Sequence, residues 1–202
     1  MKLSLDEGRE VVSFARNVVE QHFEGVNVKE PETISELLME KRGVFVTLHT
    51  HSDGGLRGCI GFPEPMFSLG KAIRNASISS AFNDPRFPPL KKDEVDSIIF
   101  EVSVLTEPEI IKVDKALDYP KHIKIGEDGL IIRKDWAAGL LLPQVPVEEG
   151  WDVEEYLSYI CQKAGLAPDA WLSDGIQLYK FSAQIFSEEA PNGEVVEKKL
   201  VL

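Results

Sequence analysis

The hexapeptide at residues 56–61, Leu-Arg-Gly-Cys-Ile-Gly, places a thiol and a guanidinium in one short apolar segment. Cysteine becomes a strong nucleophile when a neighbouring cation lowers its pKa from about 8.5. Arginine offers a planar fork of N–H donors to acidic groups, and two glycines in a strand indicate a bulge or the close approach of a ligand or another backbone. Arg57, Gly58, Cys59 and Gly61 are therefore candidate ligand-binding residues, and Cys59 is also a candidate nucleophile.

A second strand precedes this hexapeptide and carries a histidine. Residues 44–50 and 56–62 alternate in polarity, and the Asp-Gly-Gly sequence between them predicts a hairpin turn. A loop with an odd number of residues places His49 directly opposite Cys59, with Cβ atoms about 5 Å apart. A two-residue turn would direct Arg57 and Cys59 toward the core, where an unpaired guanidinium is costly. We therefore favour the first register and predict His49 as the catalytic partner of Cys59.

Other roles of these side chains stay open. Most free cysteines are small buried hydrophobic residues, and a ligand contact without covalent chemistry is a third interpretation of Cys59. In the favoured register His51 lies opposite Arg57. His49 and His51 share a strand face, and together with Asp53 they could hold a metal ion, but a closed zinc site needs a fourth ligand. We therefore predict no metal and no other cofactor.

Two further clusters place polar groups in proline-rich segments. Asp84 and Arg86 lie in a stretch with three prolines, which prevent regular structure and can hold polar side chains at a pocket; a simple ion pair within the loop is the alternative. Gln144 lies between Pro143 and Pro146, in the segment that links the strands of a predicted smaller domain to its helix, and could line an interdomain cleft, where pockets are common. Asp84, Arg86 and Gln144 complete the candidate ligand-binding residues.

The elements that must position these residues mix helices with antiparallel strands. Capping boxes and helical spacing of apolar residues predict helices at residues 5–24, 33–41, 69–82 and 152–164. The segment 143–150 is predicted as a proline-broken linker. Alternation and apolar runs predict strands at residues 44–50, 56–62, 97–106, 123–125, 130–133, 140–142 and 178–187, and a last strand that follows Asn192 and Gly193 and ends at residue 202.

These predictions define an α+β fold class with two antiparallel sheets and flanking helices, because tight turns join antiparallel neighbours. A larger domain of about five strands is expected at residues 1–108 and 174–202. A smaller inserted domain of about three strands is expected at residues 109–173. The expected architecture is therefore not a doubly wound parallel sheet.

Composition excludes several classes of function. The chain has 202 residues, of which 43% are hydrophobic, so it can bury a core without covalent crosslinks. Its net charge of −12 repels nucleic acid and anionic membranes, and its densest basic pair, at residues 91–92, precedes Asp93 and Glu94. With only Cys59 and Cys161, an acidic N-terminus unlike a signal peptide and no long apolar run, we expect a soluble cytoplasmic protein.

Four motifs, taken in order along the chain, resemble the AMMECR family, named after the chromosomal region of the disorder that combines Alport syndrome, midface hypoplasia and elliptocytosis. They are the hexapeptide at 56–61, Asp-Pro-Arg-Phe-Pro-Pro at 84–89, Val-Ser-Val-Leu-Thr at 102–106, and Leu-Pro-Gln-Val-Pro at 142–146 followed by Trp151 and Asp152. The set spans nearly the whole chain. Short, single-domain members of this kind are typical of archaea and bacteria.

The resemblance implies a two-domain α+β fold with a larger and a smaller antiparallel sheet and a cleft between them, and it implies no particular reaction. It also implies Memo-like or radical-SAM proteins as candidate partners, and regulatory roles in transcription or translation have been suggested for the family. His49 and His51 lie outside the family motif, and many relatives carry a histidine where this chain has Asp128. The resemblance supports a site role for Arg57, Gly58, Cys59 and Gly61, and more weakly for Asp84 and Arg86.

The predicted function is the binding of a small anionic or peptide-like ligand in an interdomain cleft near the Arg57/Cys59 strand, either without covalent chemistry or as an enzyme that uses Cys59. The alternative is a non-enzymatic protein-interaction or regulatory module that docks a partner protein.

Overall fold

The computed structural model describes residues 2–26 and 28–198. These residues form two compact units. The first unit contains the described residues up to Leu105 together with those from Gln184 onward, and the second contains Thr106–Ala183. Each unit has its own sheet and its own apolar core, so the α+β fold class with two antiparallel sheets is confirmed. The domain limits expected from the sequence stay a prediction.

The elements are numbered in chain order. The helices of the described residues are α1 Leu5–Phe23, α2 Ser35–Met39, α3 Leu69–Phe82, α4 Val145–Glu149 and α5 Val153–Lys163. The strands of the same residues are β1 Val44–Thr50, β2 Leu56–Phe62, β3 Ile98–Leu105, β4 Glu109–Ile110, β5 Gly129–Lys134, β6 Ala137–Leu141, β7 Gln177–Phe181, β8 Ala183–Glu188 and β9 Val195–Lys198.

Local capping chemistry starts helix α1 where the sequence predicted. The Glu7 carboxylate accepts the Ser4 N–H at 2.7 Å, and the Ser4 hydroxyl accepts the Glu7 N–H at 3.3 Å, so two exposed amides are satisfied reciprocally. The helix predicted at residues 33–41 is wrong in its start and length. A short 3₁₀ helix, Glu32–Ile34, precedes α2, and the N-cap position of α2 is Ile34, so Thr33 makes no capping bond.

The five-stranded sheet of the first unit has the strand order β2-β1-β3-β8-β9, which places the predicted functional strand β2 at an edge. One face packs its apolar side chains into the core with α1 and α3, including the fully buried Val46, Leu48 and Phe100. Because side chains alternate along a strand, the opposite face carries Thr47 of β1, Cys59 of β2 and Glu101 of β3, and these three residues lie in register. That second face holds the candidate site.

The four-stranded sheet of the second unit has the order β4-β7-β5-β6. The predicted strand at 123–125 is wrong, because those residues follow a 3₁₀ helix, Ala116–His122, and join no ladder. The predicted strand at 178–187 is two strands, because Ser182 interrupts it and exchanges hydrogen bonds with Thr106. Strand β7 therefore belongs to the second unit, and β8 belongs to the first.

The segment predicted as a proline-broken linker, residues 143–150, contains helix α4. Pro146 lies in the first turn of α4, where the missing N–H has no helical acceptor to lose. Gly150 ends α4 with φ +70°, a conformation that glycine adopts without strain. Helix α5 starts with the predicted capping box of Asp152 and Glu155 and ends before Gly165, which has the predicted positive φ.

The part of the final predicted strand beyond Lys198 lies outside the described residues. Among the described residues, no helix has the length and apolar character needed to cross a bilayer.

Candidate functional site

The β1–β2 hairpin has a register that differs from the predicted one. Thr47 lies opposite Cys59 and Leu48 lies opposite Gly58, but His49 lies opposite Leu56, so Arg57 is the extra residue of a β-bulge. The predicted pairs, His49 with Cys59 and His51 with Arg57, are therefore wrong.

The turn geometry explains the difference. The Thr50 N–H donates to the Gly55 carbonyl at 2.9 Å and closes a four-residue loop, in which the Asp53 carboxylate accepts the Gly55 N–H at 2.9 Å and the Thr50 hydroxyl at 2.6 Å. Those bonds hold the pKa of Asp53 below its ordinary value. The bulge then shifts the ladder by one residue, and the neighbour of Cys59 is a threonine.

Cys59 is a half-buried free thiol on the polar face of the sheet. Its Sγ atom accepts a hydrogen bond from the Thr47 hydroxyl at 3.3 Å. Burial raises the pKa of the Cys59 thiol, and the opposing effects of Thr47 and of the Arg86 cation are smaller. The thiol is therefore less ionised at neutral pH than a free cysteine, which is the opposite of nucleophile activation.

His49 contacts groups other than the thiol. Its Nδ1 atom lies 3.3 Å from the Gly54 carbonyl, and its Nε2 atom lies 4.0 Å from a Glu101 carboxylate oxygen. Thr47, two residues before His49 on β1, is the residue that contacts Cys59. A catalytic role for Cys59 and His49 stays a prediction.

Arg57 is nearly buried, and an acidic side chain holds its guanidinium. Its Nε and Nη2 atoms donate to the Glu94 carboxylate at 3.3 Å, while Nη1 is buried and has no acceptor among the described residues. Burial alone would raise the pKa of Glu94, but the bonds from the Lys91 N–H and from Arg57 hold that pKa below its ordinary value. Arg57 and Cys59 therefore have different partners, although only one residue separates them.

Asp84 and Arg86 bind the backbone of the hexapeptide. The Asp84 carboxylate accepts the Cys59 N–H at 2.9 Å, and Arg86 Nη2 donates to the Cys59 carbonyl at 3.0 Å. Arg86 also binds both carboxylate oxygens of Asp84, at 3.0 and 2.7 Å, which holds the pKa of Asp84 well below its ordinary range. Together the two side chains satisfy backbone hydrogen-bonding groups that an edge strand leaves without a partner strand. The pair therefore forms the ion pair within the loop and also binds the hexapeptide.

The two glycines of the hexapeptide permit close packing inside the first unit. A Cβ atom on Gly58 would lie 2.1 Å from the Ser80 carbonyl oxygen near the end of α3, and one on Gly61 would lie 2.4 Å from the Phe45 ring. The Ser80 hydroxyl completes the contact, because it accepts the Ile60 N–H at 2.8 Å and donates to the Val46 carbonyl at 2.7 Å. The close approach that the glycines predicted is made by the protein's own helix and side chains.

Sequence reasoning missed the other polar residues of this face. Glu101 is buried and accepts a hydrogen bond from Lys198 Nζ at 2.7 Å. Burial alone would raise the pKa of Glu101, but His49 and Lys198 bring it below its ordinary value. Ser103 is 1% exposed, and its hydroxyl has no hydrogen-bond partner among the described residues. The alternation of Glu101 and Ser103 with buried apolar residues in β3 was the signal that could have revealed them.

The sequence matches the AMMECR1 family model over residues 12–186. The chain belongs to the AMMECR1 family. It is 55% identical to protein MJ0810 of Methanocaldococcus jannaschii over 98% of both chains, and 50% identical to protein PYRAB00100 of Pyrococcus abyssi over 99% of both chains. The crystal structure of protein PH0010 from Pyrococcus horikoshii is 48% identical and matches with a TM-score of 0.88, covering 96% of this chain and 98% of that one. The resemblance inferred from the four motifs is confirmed.

Two further residues of this AMMECR1 chain lie in the second unit. Gln144 occupies the N-cap position of α4, and its side-chain oxygen is buried without a hydrogen-bond partner among the described residues. Asp128 accepts the Lys124 N–H at 2.9 Å. A ligand-binding role for Gln144 stays a prediction. Within the described residues, no group of three or more His, Cys, Asp or Glu side chains is arranged to hold a metal ion.

Proposed function

We propose that this AMMECR1-family chain binds a small anionic or peptide-like ligand beside strand β2, through non-covalent contacts with Arg86 and Arg57. The observation that carries the proposal is the state of Arg86. Its guanidinium is held by both oxygens of Asp84 and by the Cys59 carbonyl, yet 52% of its side chain remains exposed. A cation that is already fixed loses little conformational freedom when a ligand arrives.

The free N–H groups of the two arginines favour an acidic ligand group. Arg86 uses Nε and Nη2 in its internal bonds, and its Nη1 makes no hydrogen bond with the described residues, so its donors are available to a ligand. Arg57 Nη1 also lacks an acceptor among the described residues, but it is buried, so a ligand reaches it only when the side chains that cover it move aside. The hydrogen bond it then gains satisfies a donor that is otherwise left unpaired. A planar guanidinium suits carboxylate and phosphate oxygens. The chain's charge of −12 repels anions at long range, so short-range hydrogen bonds must supply the affinity.

Cys59 serves this function as a neutral contact. The raised pKa keeps the thiol protonated at neutral pH, and the Thr47 hydroxyl, which donates to Cys59 Sγ at 3.3 Å, holds the thiol in place. The enzyme hypothesis, with Cys59 as nucleophile, would require a thiolate that this surrounding disfavours. A binding function therefore agrees better with the geometry than a covalent one.

The test is a thermal-unfolding screen of the whole chain against small carboxylates and dipeptides, each paired with its uncharged amide. A ligand at one hundred times its Kd stabilises the folded state by about 2.7 kcal/mol. For a chain of this size that stabilisation raises Tm by roughly 5–10 °C. We expect acids to produce such shifts and their amides to produce much smaller ones.

The matched variants are Arg86→Gln and Arg9→Gln. Arg9 lies on the surface and is paired with Asp6 and Glu194, so its replacement controls for the loss of one positive charge. Calorimetric titration at a temperature where all variants are folded should show about tenfold weaker binding for Arg86→Gln and little change for Arg9→Gln. The proposal fails if no acid stabilises the chain, or if Arg86→Gln binds the selected acid as tightly as the natural protein.

A further inference from the structure

The second unit carries an open groove beside the tip of the β5–β6 hairpin. None of the residues that line the groove belongs to the proposed ligand site. The groove has a volume of about 700 Å³, and apolar residues such as Leu166, Ala170 and Leu172 line much of it. Trp136 stands at its edge and is fully exposed, with 101% relative accessibility. An indole left wholly in water costs solubility without stabilising the fold, and tryptophan is among the residue types most enriched at the energetic centres of protein interfaces.

The turn that presents Trp136 is unfavourable for the isolated hairpin. Lys134 pairs with Ala137, so Asp135 and Trp136 form a two-residue turn. A two-residue turn with a positive φ at its first central residue favours glycine at that position, but here Asp135 occupies it with φ +50°. The residues at the tip are therefore not those that the turn favours, and the tip exposes an aromatic side chain. Unfavourable local conformations of this kind are often retained at functional sites.

The charges of the groove are not balanced. Asp135 and Asp169 line it, and neither is paired with a cation among the described residues. Lys134 is the cation of the lining, and its ammonium group donates to the Ser173 hydroxyl at 2.9 Å. The exposed indole adds a face that attracts cations. The groove is therefore complementary to a segment that carries positively charged side chains next to an apolar one. The two carboxylates and the indole suit the cations, and the apolar lining suits the apolar side chain.

We propose that this groove, defined by Trp136, Leu172, Asp135 and Asp169, docks a partner protein through a basic peptide segment with an apolar anchor. The anchor packs between Trp136 and Leu172, and lysine or arginine side chains on either side of it pair with the two carboxylates. A second copy of this chain is a poor occupant, because each copy carries a charge of −12 and the two would repel each other. Nucleic acid is disfavoured for the same reason.

The test is selection from a displayed library of random dodecapeptides on the immobilised full chain. We expect enriched sequences to combine lysine or arginine with a neighbouring aromatic or aliphatic residue. One enriched peptide is then synthesised, and its Kd is measured by calorimetry at low and high salt. Trp136→Ala should weaken binding about tenfold or more, the loss expected for an interface anchor.

Two matched pairs of variants separate the groove from general surface effects. Asp135→Asn with Asp169→Asn should weaken the peptide and flatten its salt dependence, and asparagine tolerates the positive φ at position 135. Glu154→Gln with Glu149→Gln is the charge control, because it also removes two negative charges from exposed positions of the second unit. Leu117→Ala, at another exposed apolar residue of the second unit, is the apolar control. The proposal is overturned if no peptide is enriched, if enriched peptides lack basic residues, or if Trp136→Ala binds them as tightly as the natural chain.

Discussion

Gly58→Ala tests how tightly helix α3 is packed on strand β2. The added Cβ atom would lie 2.1 Å from the Ser80 carbonyl oxygen, whereas ordinary contact begins at 3.4 Å, so helix and strand must separate by more than about 1 Å. Overpacking of this kind costs about 3 kcal/mol at the upper end of its usual range. The substitution also lowers the conformational entropy of the unfolded chain, which stabilises the folded state by up to about 1 kcal/mol. The expected net loss is about 2 kcal/mol, or a fall in Tm of roughly 4–8 °C.

Urea unfolding followed by circular dichroism measures this loss, with a second glycine as the comparison. A Cβ atom on Gly8 would lie 2.1 Å from the Phe186 ring. The obstacle at Gly8 is a side chain, which a second substitution can make smaller. Adding Phe186→Leu to Gly8→Ala should therefore recover part of the lost stability. The obstacle at Gly58 is backbone, so Ser80→Gly should not rescue Gly58→Ala. A loss below about 0.5 kcal/mol, the size of ordinary surface effects, would refute the close approach of α3 to β2.

Three further predictions concern charged and titratable groups. The rate of Cys59 alkylation should have its pH midpoint above the value of about 8.5 for a free thiol, because burial raises its pKa; Arg86→Gln should raise the midpoint further, because that cation favours the thiolate. Asp84→Asn should destabilise the chain above the ordinary carboxyl pKa. The difference in unfolding free energy between the natural chain and the variant, measured by urea unfolding, should shrink as the pH falls through the depressed pKa of Asp84. Protonation then removes the carboxylate charge that stabilises the natural chain. Arg16→Met should cost about 3–5 kcal/mol in urea unfolding, because it leaves buried Glu188 without the guanidinium that binds it at 2.6 Å.

Each of these predictions has an opposing result. An alkylation midpoint below that of a free thiol would restore the nucleophile hypothesis for Cys59. A deficit in Asp84→Asn that stays constant from neutral to strongly acidic pH would show that its carboxylate charge contributes nothing. For Arg16→Met, the double variant with Glu188→Met is the control, since replacing both partners should recover part of the loss; an equally low stability of the single and double variants would contradict the charge argument.

Features that depend on neighbouring residues were predictable from the sequence. The capping boxes at Ser4 and Asp152 and the positive φ of Gly165 are set within one helical turn, and the structure has all three. The strand alternation that predicted β1 and β2 is equally local. The proline-rich loop motif made Asp84 and Arg86 candidates for the site, with an ion pair within the loop as the alternative. Their bonds to Cys59 join the loop to the hexapeptide.

Features that depend on distant partners were not predictable in the same way. Alternation assigned the correct faces to Val46 and Ile60 but could not reveal a bulge at Arg57. Leu56 continues the apolar alternation in the sequence, but the bulge places it opposite His49 and leaves it 40% exposed. A single alternating segment at residues 178–187 predicted one strand, but Ser182 divides it into two strands that join different sheets. Gly58 and Gly61 were correctly taken as points of close approach, but the sequence did not say that α3 and Phe45 occupy them.

By itself, the sequence determined the family, the α+β class and the group of motifs from which the candidate site is built, because residue types, local spacing and charge are properties of the linear chain. Only the tertiary structure decided which partner each functional side chain has. Cys59 is opposite Thr47 rather than His49, Arg57 is bound to Glu94, and Arg86 is fixed on the edge of β2. The physical reason is that pairing register, burial and pKa depend on groups far apart in the chain, and packing alone brings those groups together.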